Sequence, residues 1–456
     1  MPITRRHFLL GGLALASGCT TEPDQPPLDE LYRYYTDRDL PPLVLIHGAF
    51  GSRLENRRTG EEVWPGSDAK LLLSAYKGLE VDIDEETLEP LVDDIGPSRL
   101  FEEGLGRDFY AQVVKTLTGA GRYVLRQAGT PVEAGQRNLY IFLYDWRLDN
   151  AASVKSLHEF IQRIQHDYQN SAQQVDILAH SNGGMLARYY ARYGIDDRLD
   201  SDQAVPNYFG AGNIRRLLLV GTPNLGTVQP VLSLIRGEDI GFRKVPSEIV
   251  ATTTGAPQLM PHPSIPWLVD MDGNIVDLDL FDINTWKQLQ WSIFSSRVRN
   301  RTRRNKGGGA GGDRYLAVLE QYLEKHLERG RNFMLLMTSD STEQDMKPYI
   351  FGGDCERTLA RIVMEDFNDK LVARERHIAI EKPRTGIDYT KNMYDPGDTV
   401  VTRPSLLGRC EESPFSRCAN IGRMGMAHST FICEKHQTLT SNINFQDNIL
   451  HTLFKA

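Results

Sequence analysis

Hydrophobic positions along this chain fall into short apolar runs separated by amphipathic stretches. LVLI at 43–46, LYIFL at 139–143, VDILA at 175–179 and LLLV at 217–220 are too short for buried helices and show little inside/outside alternation. That pattern predicts strands of a parallel sheet covered on both faces. Between them, Phe109, Tyr110, Val113, Val114 and Leu117 recur at helical spacing and stop at Gly119-Ala120-Gly121, while Val154, Leu157, Phe160, Ile161, Ile164 and Tyr168 form a second helical face. Strand, helix, strand, helix in this order predicts an α/β fold, with a mostly parallel central sheet and helices on both faces.

Two stretches interrupt the rhythm. Residues 53–104 carry Trp64-Pro65-Gly66 and many acidic positions with little periodicity, so a lid excursion is expected at about 53–80. The sheet pattern also lapses over about 227–330, where prolines at 257, 261, 263 and 266 precede Trp267, Trp286 and Trp291. This predicts an inserted cap, whose tryptophans either meet lipid or pack in the cap's own core. The basic run RVRNRTRRNK at 297–306 and the following GGGAGG read as a solvated loop. Beyond it, Tyr315 to Leu327 reads as a helix and residues 332–338 as a strand, whereas 339–393 show no firm pattern.

The run at 175–179 ends in His180-Ser181-Asn182-Gly183-Gly184, followed by a helical stretch. A serine on a sharp turn between strand and helix has its hydroxyl raised above the sheet edge, beside free N–H groups at the helix start. Such a serine needs a base, itself oriented by an acid, and α/β hydrolases place these downstream in the order acid, then histidine. Asp398 in the GDTVV turn at 397–401 is the expected acid, with Asp395 as the alternative; His436, in a polar loop before the final helix, is the expected base. His428 competes for that role, and His451, inside the helix, suits packing or surface better. HGAFGS at 47–52 follows the first strand and reads as the loop that turns N–H groups toward an oxyanion, with Phe50 and Asn182 as backbone donors. His47, His180 and Trp64 are expected to line the substrate site.

Composition narrows the setting. A net charge of -8 and a pI near 5.8 argue against nucleic acid as a partner. Residues 1–18, with Arg5-Arg6-His7-Phe8-Leu9 before a short apolar segment, have the form of a signal peptide and resemble a twin-arginine export signal. Ala16-Ser17-Gly18-Cys19 resembles a lipobox, which would make Cys19 a lipid-anchored residue at the bacterial cell envelope, followed by a tether over 19–42 and one catalytic domain over 43–456. A plain secretory signal is the alternative. Cys355, Cys410, Cys418 and Cys433 suggest two disulfides with three possible connectivities. No C-x-x-C or H-E-x-x-H spacing points to a metal site, no Rossmann fingerprint follows the first strand, and no cofactor is expected.

Taken together, LVLIHGAFGSRLE from 43, YDWR at 144–147, AHSNGG at 179–184, GTPNLG at 221–226, GDTVV at 397–401 and HQTL at 436–439 resemble the lecithin:cholesterol acyltransferase and phospholipid:diacylglycerol acyltransferase family of α/β hydrolases. The chain departs from that family at His47, where proline is usual, and at Ala179, where the elbow's first glycine is usual. The resemblance implies a serine hydrolase with Ser181, Asp398 and His436 as its triad, acting as a lipid O-acyltransferase or acyl-ester hydrolase on phospholipid or other lipid esters. It also implies a disulfide bracing the acid loop, with Cys355–Cys410 and Cys418–Cys433 as the expected pairs. A plain lipase using water as acceptor, and a non-catalytic envelope lipoprotein on the same fold, are the alternatives.

Overall fold

The structure, a computed structural model, describes residues 27–35, 40–91, 94–339, 345–368, 371–410 and 421–455. Its centre is a sheet of seven parallel strands: β1 (Leu43–Ile46), β2 (Tyr123–Arg126), β3 (Arg137–Phe142), β4 (Val175–His180), β5 (Ile214–Val220), β6 (Tyr349–Gly353) and β7 (His428–Ile432). They lie in the order β7-β6-β5-β4-β1-β3-β2. The four apolar runs are the four central strands. β2 and β7 lay outside the sequence pattern because their runs are short and mixed with polar residues, and β6 because its short apolar run ends in two glycines.

Alternate side chains of β1 sort the core into two halves, since successive residues of a strand point to opposite faces. Val44 and Ile46 pack with α2 (Asn150–Asp167) and α3 (Asn182–Tyr193), whereas Leu43 and Leu45 pack with α1 (Ala111–Thr118) and α7 (Ile443–Lys455). The helices therefore cover both faces, as expected. The sheet, its order and its helical layers make this an α/β-hydrolase fold. No helix among the described residues is long and apolar enough to cross a membrane.

Three expectations are corrected. Residues 332–338 are not a strand but the end of a long helix, α6 (Gly309–Thr338), because a fully apolar run is equally at home in a buried helix. The basic run is not a loop but α5 (Ser296–Asn305), where Arg299, Arg301, Arg303 and Lys306 pair with Glu320, Glu248, Asp313 and Glu80. Part of the expected tether is docked: Leu28 and Tyr32 are buried, and the Tyr32 hydroxyl bonds Asp447 on α7.

The excursion after β1 forms a small antiparallel sheet (Ser52–Asn56, Glu62–Trp64 and Ile95–Leu100) and a helix, Asp68–Leu73. The cap contributes α4 (Gln229–Arg236), a hairpin (Glu238–Ile240 with Arg243–Val245), α5 and α6. Trp267, Trp286 and Trp291 are buried edge to face against one another, so they build the cap's core. Arg329 on α6 bonds Asp149, the residue capping α2, and also Asp197, which ties the cap helix to the sheet layer.

Gly330 lies where α6 crosses the 257–259 turn, and a Cβ there would sit 2.7 to 2.8 Å from Pro257 Cβ and backbone atoms. Backbone cannot yield as a flexible side chain can. Gly330→Ala is therefore expected to destabilise by about 1–3 kcal/mol despite alanine's better helix propensity, read from the urea unfolding midpoint.

Candidate active site

β4 ends at His180 and α3 begins at Asn182, leaving Ser181 alone to reverse the chain at φ 53° and ψ -124°. A non-glycine residue adopts positive φ at a cost, and here the surroundings hold it: the Ser181 N–H donates to the Val220 carbonyl at 2.7 Å. The packing is tight enough to dictate glycine nearby. A Cβ on Gly183 would lie 2.4 Å from the His47 carbonyl oxygen, and one on Gly48 would lie 2.7 Å from Ser181 Cβ. The seryl hydroxyl and the loop after β1 are thus held together by contact.

Ser181 Oγ lies 3.0 Å from His436 Nε2, and His436 Nδ1 lies 2.8 Å from Asp398 Oδ2. Asp398 is fully buried; its Oδ1 accepts from the Val400 and Val401 N–H groups, and its carbonyl accepts from the His436 N–H at 2.6 Å. The Glu434 carboxylate holds the histidine loop, accepting from Thr438 Oγ1, the Lys435 N–H and Asn442 Nδ2. Of the alternatives weighed, Asp395 is engaged by Arg361, His428 begins β7 with its side chain exposed, and His451 is exposed on α7.

Cys355 bonds Cys433, so neither expected pairing, Cys355–Cys410 nor Cys418–Cys433, is present. The cause lies in sheet neighbourhood: β6 and β7 are paired with Gly353 opposite Ile432, and the two cysteines follow at the same edge. This disulfide joins the ends of β6 and β7; the His436 loop follows β7 directly, and Asp398 follows the strand Tyr394–Gly397, which pairs with Glu356–Leu359 just after β6. Cys410 is also disulfide-bonded. Cys418 and Cys19 lie outside the described residues.

The turn after β1 closes with the Gly51 N–H donating to the Gly48 carbonyl, and Phe50 sits in it at φ 62°. The Phe50 ring rests on Trp146 and Trp64, and its carbonyl accepts from Trp64 Nε1 at 3.0 Å. YDWR thereby acquires a structural meaning: Tyr144 donates to the His47 carbonyl and accepts from Asn182 Nδ2, Trp146 donates to the Ser52 carbonyl, and Arg147 pairs with Asp145. The Asn182 side chain is fixed from its other end by Asn150, at 3.0 Å.

His180 and Trp64 line the cavity above Ser181, but His47 does not. It is completely buried behind the turn, stacked on Tyr144, with Nδ1 donating to the Gly48 carbonyl at 2.7 Å. Tyr110, a residue singled out only as part of a helical face, is central: its hydroxyl accepts from the Gly48 N–H and meets His180 Nδ1, both at 2.8 Å. Nothing local in the sequence marks it, because its partners are about 60 to 70 residues away in the chain.

The cavity measures about 690 Å³ and is mainly apolar, with Phe50, Trp64, Phe101, Phe109 and Trp146 along one wall. Among the described residues, no group of three or more His, Cys, Asp or Glu side chains is placed to hold a metal ion. Burial lowers the pKa of His47 to about 4 and that of His180 to about 3, the latter helped by neighbouring His436. Both rings are neutral at ordinary assay pH.

Two measurements follow from this geometry. An unfolded chain binds a proton at each histidine below about pH 6.5, and the fold refuses it at His47 and His180, so each removes about 1.4 kcal/mol of stability per pH unit. The urea midpoint is expected to be highest above pH 6.5 and to fall as pH drops toward about 4, the folded-state value of His47. Tyr110→Phe leaves the buried Gly48 N–H without its acceptor and frees the turn beside Ser181. A fall in kcat of about tenfold to a hundredfold, with KM little changed, is the expected steady-state result.

Comparison with known proteins adds family and fold. Residues 132–292 match the family model described as lecithin:cholesterol acyltransferase. None of the curated proteins matches the sequence. Among solved structures, one titled as the Tle4-Tli4 complex is 15% identical with a TM-score of 0.53, covering 91% of this chain and 98% of that one. The mature Bacillus licheniformis lipase BlEst2 (10% identity, TM-score 0.33, covering 91% of this chain and 93% of that one) and EstA from Clostridium botulinum (13%, 0.32, 91% and 87%) are more distant. At its identity the first speaks for the fold alone. The family that the sequence motifs resemble is thus the family whose model this chain matches over residues 132–292, on an α/β-hydrolase fold.

Proposed function

We propose that this protein is a lipid ester hydrolase or acyltransferase working through Ser181, His436 and Asp398. The observation that carries the reading is the unbroken relay from Ser181 Oγ through both ring nitrogens of His436 to the buried Asp398 carboxyl. In the first half-reaction His436 Nε2 takes the hydroxyl proton as Oγ attacks the ester carbonyl carbon. The oxyanion forms against the N–H of Asn182, free at the start of α3, and against the turn that holds Phe50. Collapse expels the alcohol, which leaves with the proton from His436, and an acyl-serine remains. Water or a second alcohol then gives His436 a proton as it attacks the acyl carbon, and collapse breaks the bond from that carbon to Ser181 Oγ, which takes the proton back from His436.

A lipid as substrate is supported by the aromatic cavity and by its rim. Leu73, Leu105 and Phe242 are large apolar side chains left exposed, and their three segments touch: the Phe242 N–H donates to the Leu72 carbonyl, and the Leu105 N–H lies 3.4 Å from Asp68 Oδ1. Export and tethering through Cys19 to the bacterial cell envelope belong to the same proposal, and the signal-like sequence of residues 1–19 supports them.

Ser181→Ala is expected to lower turnover of a p-nitrophenyl ester by about four orders of magnitude or more, with an unchanged melting temperature, and to abolish labelling by a fluorophosphonate. Wild-type protein given phospholipid vesicles, with and without an alcohol acceptor, is expected to release lysolipid or form a new ester. Absence of both products from every lipid ester offered would refute the lipid assignment.

A further inference from the structure

One wall of the cavity differs from the rest. Besides the aromatic side chains of the 50–109 segment and Trp146, residues 227–253 line the cavity and bring in Thr227, Gln229, Ser233, Glu238 and Thr253 among apolar neighbours such as Val245 and Ile249. Glu238 begins the cap hairpin just beyond α4, where Gly237, at φ 86°, turns the chain back. Its Oε2 accepts from Ser233 Oγ and, at 3.4 Å, from Gln229 Nε2, so one turn of α4 fixes the carboxyl in place. Among the described residues its Oε1 has no hydrogen-bond partner, and no cationic side chain is within ion-pair distance of either oxygen. Arg236, the base nearest in sequence, is engaged by Asp239 and Glu375.

Glu238 is half-buried, and Arg236 is near enough to favour its ionised form without contacting it, so the ionised carboxyl is only partly compensated. Burial accordingly pushes the Glu238 carboxyl above the usual range. A ligand cation would remove that cost. The wall also adjoins the reacting groups: Thr227, two residues before Gln229, donates through Oγ1 to the Val400 carbonyl, and the Val400 N–H holds Asp398. A ligand seated against Glu238 therefore lies in the same cavity as Ser181, with the aromatic side chains left for an acyl chain.

We propose that Glu238, with Ser233 and Gln229, is the headgroup subsite of this cavity and selects lipid esters that carry an ammonium group. The subsite rests on the acyl-transfer reading of Ser181 and adds to it the charge of the preferred substrate. The ammonium donates to the free Oε1, while the ester carbonyl faces Ser181. No bond is made or broken at Glu238, so its effect belongs to substrate choice.

The test compares phosphatidylethanolamine with phosphatidylglycerol and diacylglycerol at equal surface concentration in mixed micelles. Wild-type protein is expected to favour the ethanolamine lipid about tenfold or more in kcat/KM, and Glu238→Gln, which keeps the shape and the bonds to α4, to abolish the preference. Melting temperature checks that the variant is folded. A second measurement needs no variant: tetradecylammonium is expected to inhibit wild-type p-nitrophenyl butyrate turnover competitively about tenfold more strongly than tetradecyl sulfate. Equal rates on the three lipids, a preference that survives in Glu238→Gln, or equal inhibition by the two amphiphiles would overturn the subsite alone. Failure of the wild type to turn over p-nitrophenyl butyrate would overturn the acyl-transfer reading itself, and the subsite with it.

Discussion

A serine held in left-handed backbone between a buried strand and a buried helix is the constraint on which this structure is built. Ser181 can occupy that conformation because β5 supplies an acceptor for its N–H, because Gly183 lets the helix start press on the His47 carbonyl, and because Gly48 leaves room for its own Cβ. Each concession is made by a different segment, so the elbow is a property of the assembled sheet. The same contacts decide where the loop after β1 runs. Tyr110 and Tyr144 then hold that loop from two sides, one on the Gly48 N–H and the other on the His47 carbonyl.

The other half of the site is organised by sheet order. Asp398 and His436 lie 38 residues apart in sequence and Asp398 follows a strand outside the central sheet, yet the two loops meet beside the paired ends of β6 and β7. The Cys355–Cys433 bond joins these ends, and the bond from the His436 N–H to the Asp398 carbonyl joins the loops themselves. Asp398 and His436 are thus joined to each other by two hydrogen bonds and to Ser181 by one.

What the sequence disclosed follows from the range of the forces involved. The four central strands were readable because burial on both faces forces near-continuous apolar runs, and the elbow was readable because a strand, a small-residue turn and a helix are contiguous. Edge strands β2 and β7 meet a neighbour on one side only, so polar residues are tolerated and the signal fades. The run at 332–338 misled because length and hydrophobicity alone do not separate a buried helix from a buried strand. Tyr110, the masking of His47 behind Tyr144 and the Cys355–Cys433 pairing depend on contacts between distant segments, and no local pattern encodes them. Glu238 was equally silent: one acid among many in the sequence, it becomes distinctive only when its neighbours fail to provide a base.

Arg329 bears on how a bulky molecule reaches Ser181. It bonds Asp149 at 3.0 Å and Asp197 at 2.7 Å, anchoring the longest helix of the cap to the layer beneath. Rocking the whole cap outward would strip the guanidinium of its buried partner Asp149 as well as of Asp197 and Asp200 at the surface, and the loss of the buried contact alone is on the order of 3–5 kcal/mol. The short elements around the cavity mouth, the helix at 68–73 and the hairpins at 103–108 and 238–245, lie outside this clamp. The roof over the cavity is therefore its stiffest part, and its rim is built from the shortest elements of the fold.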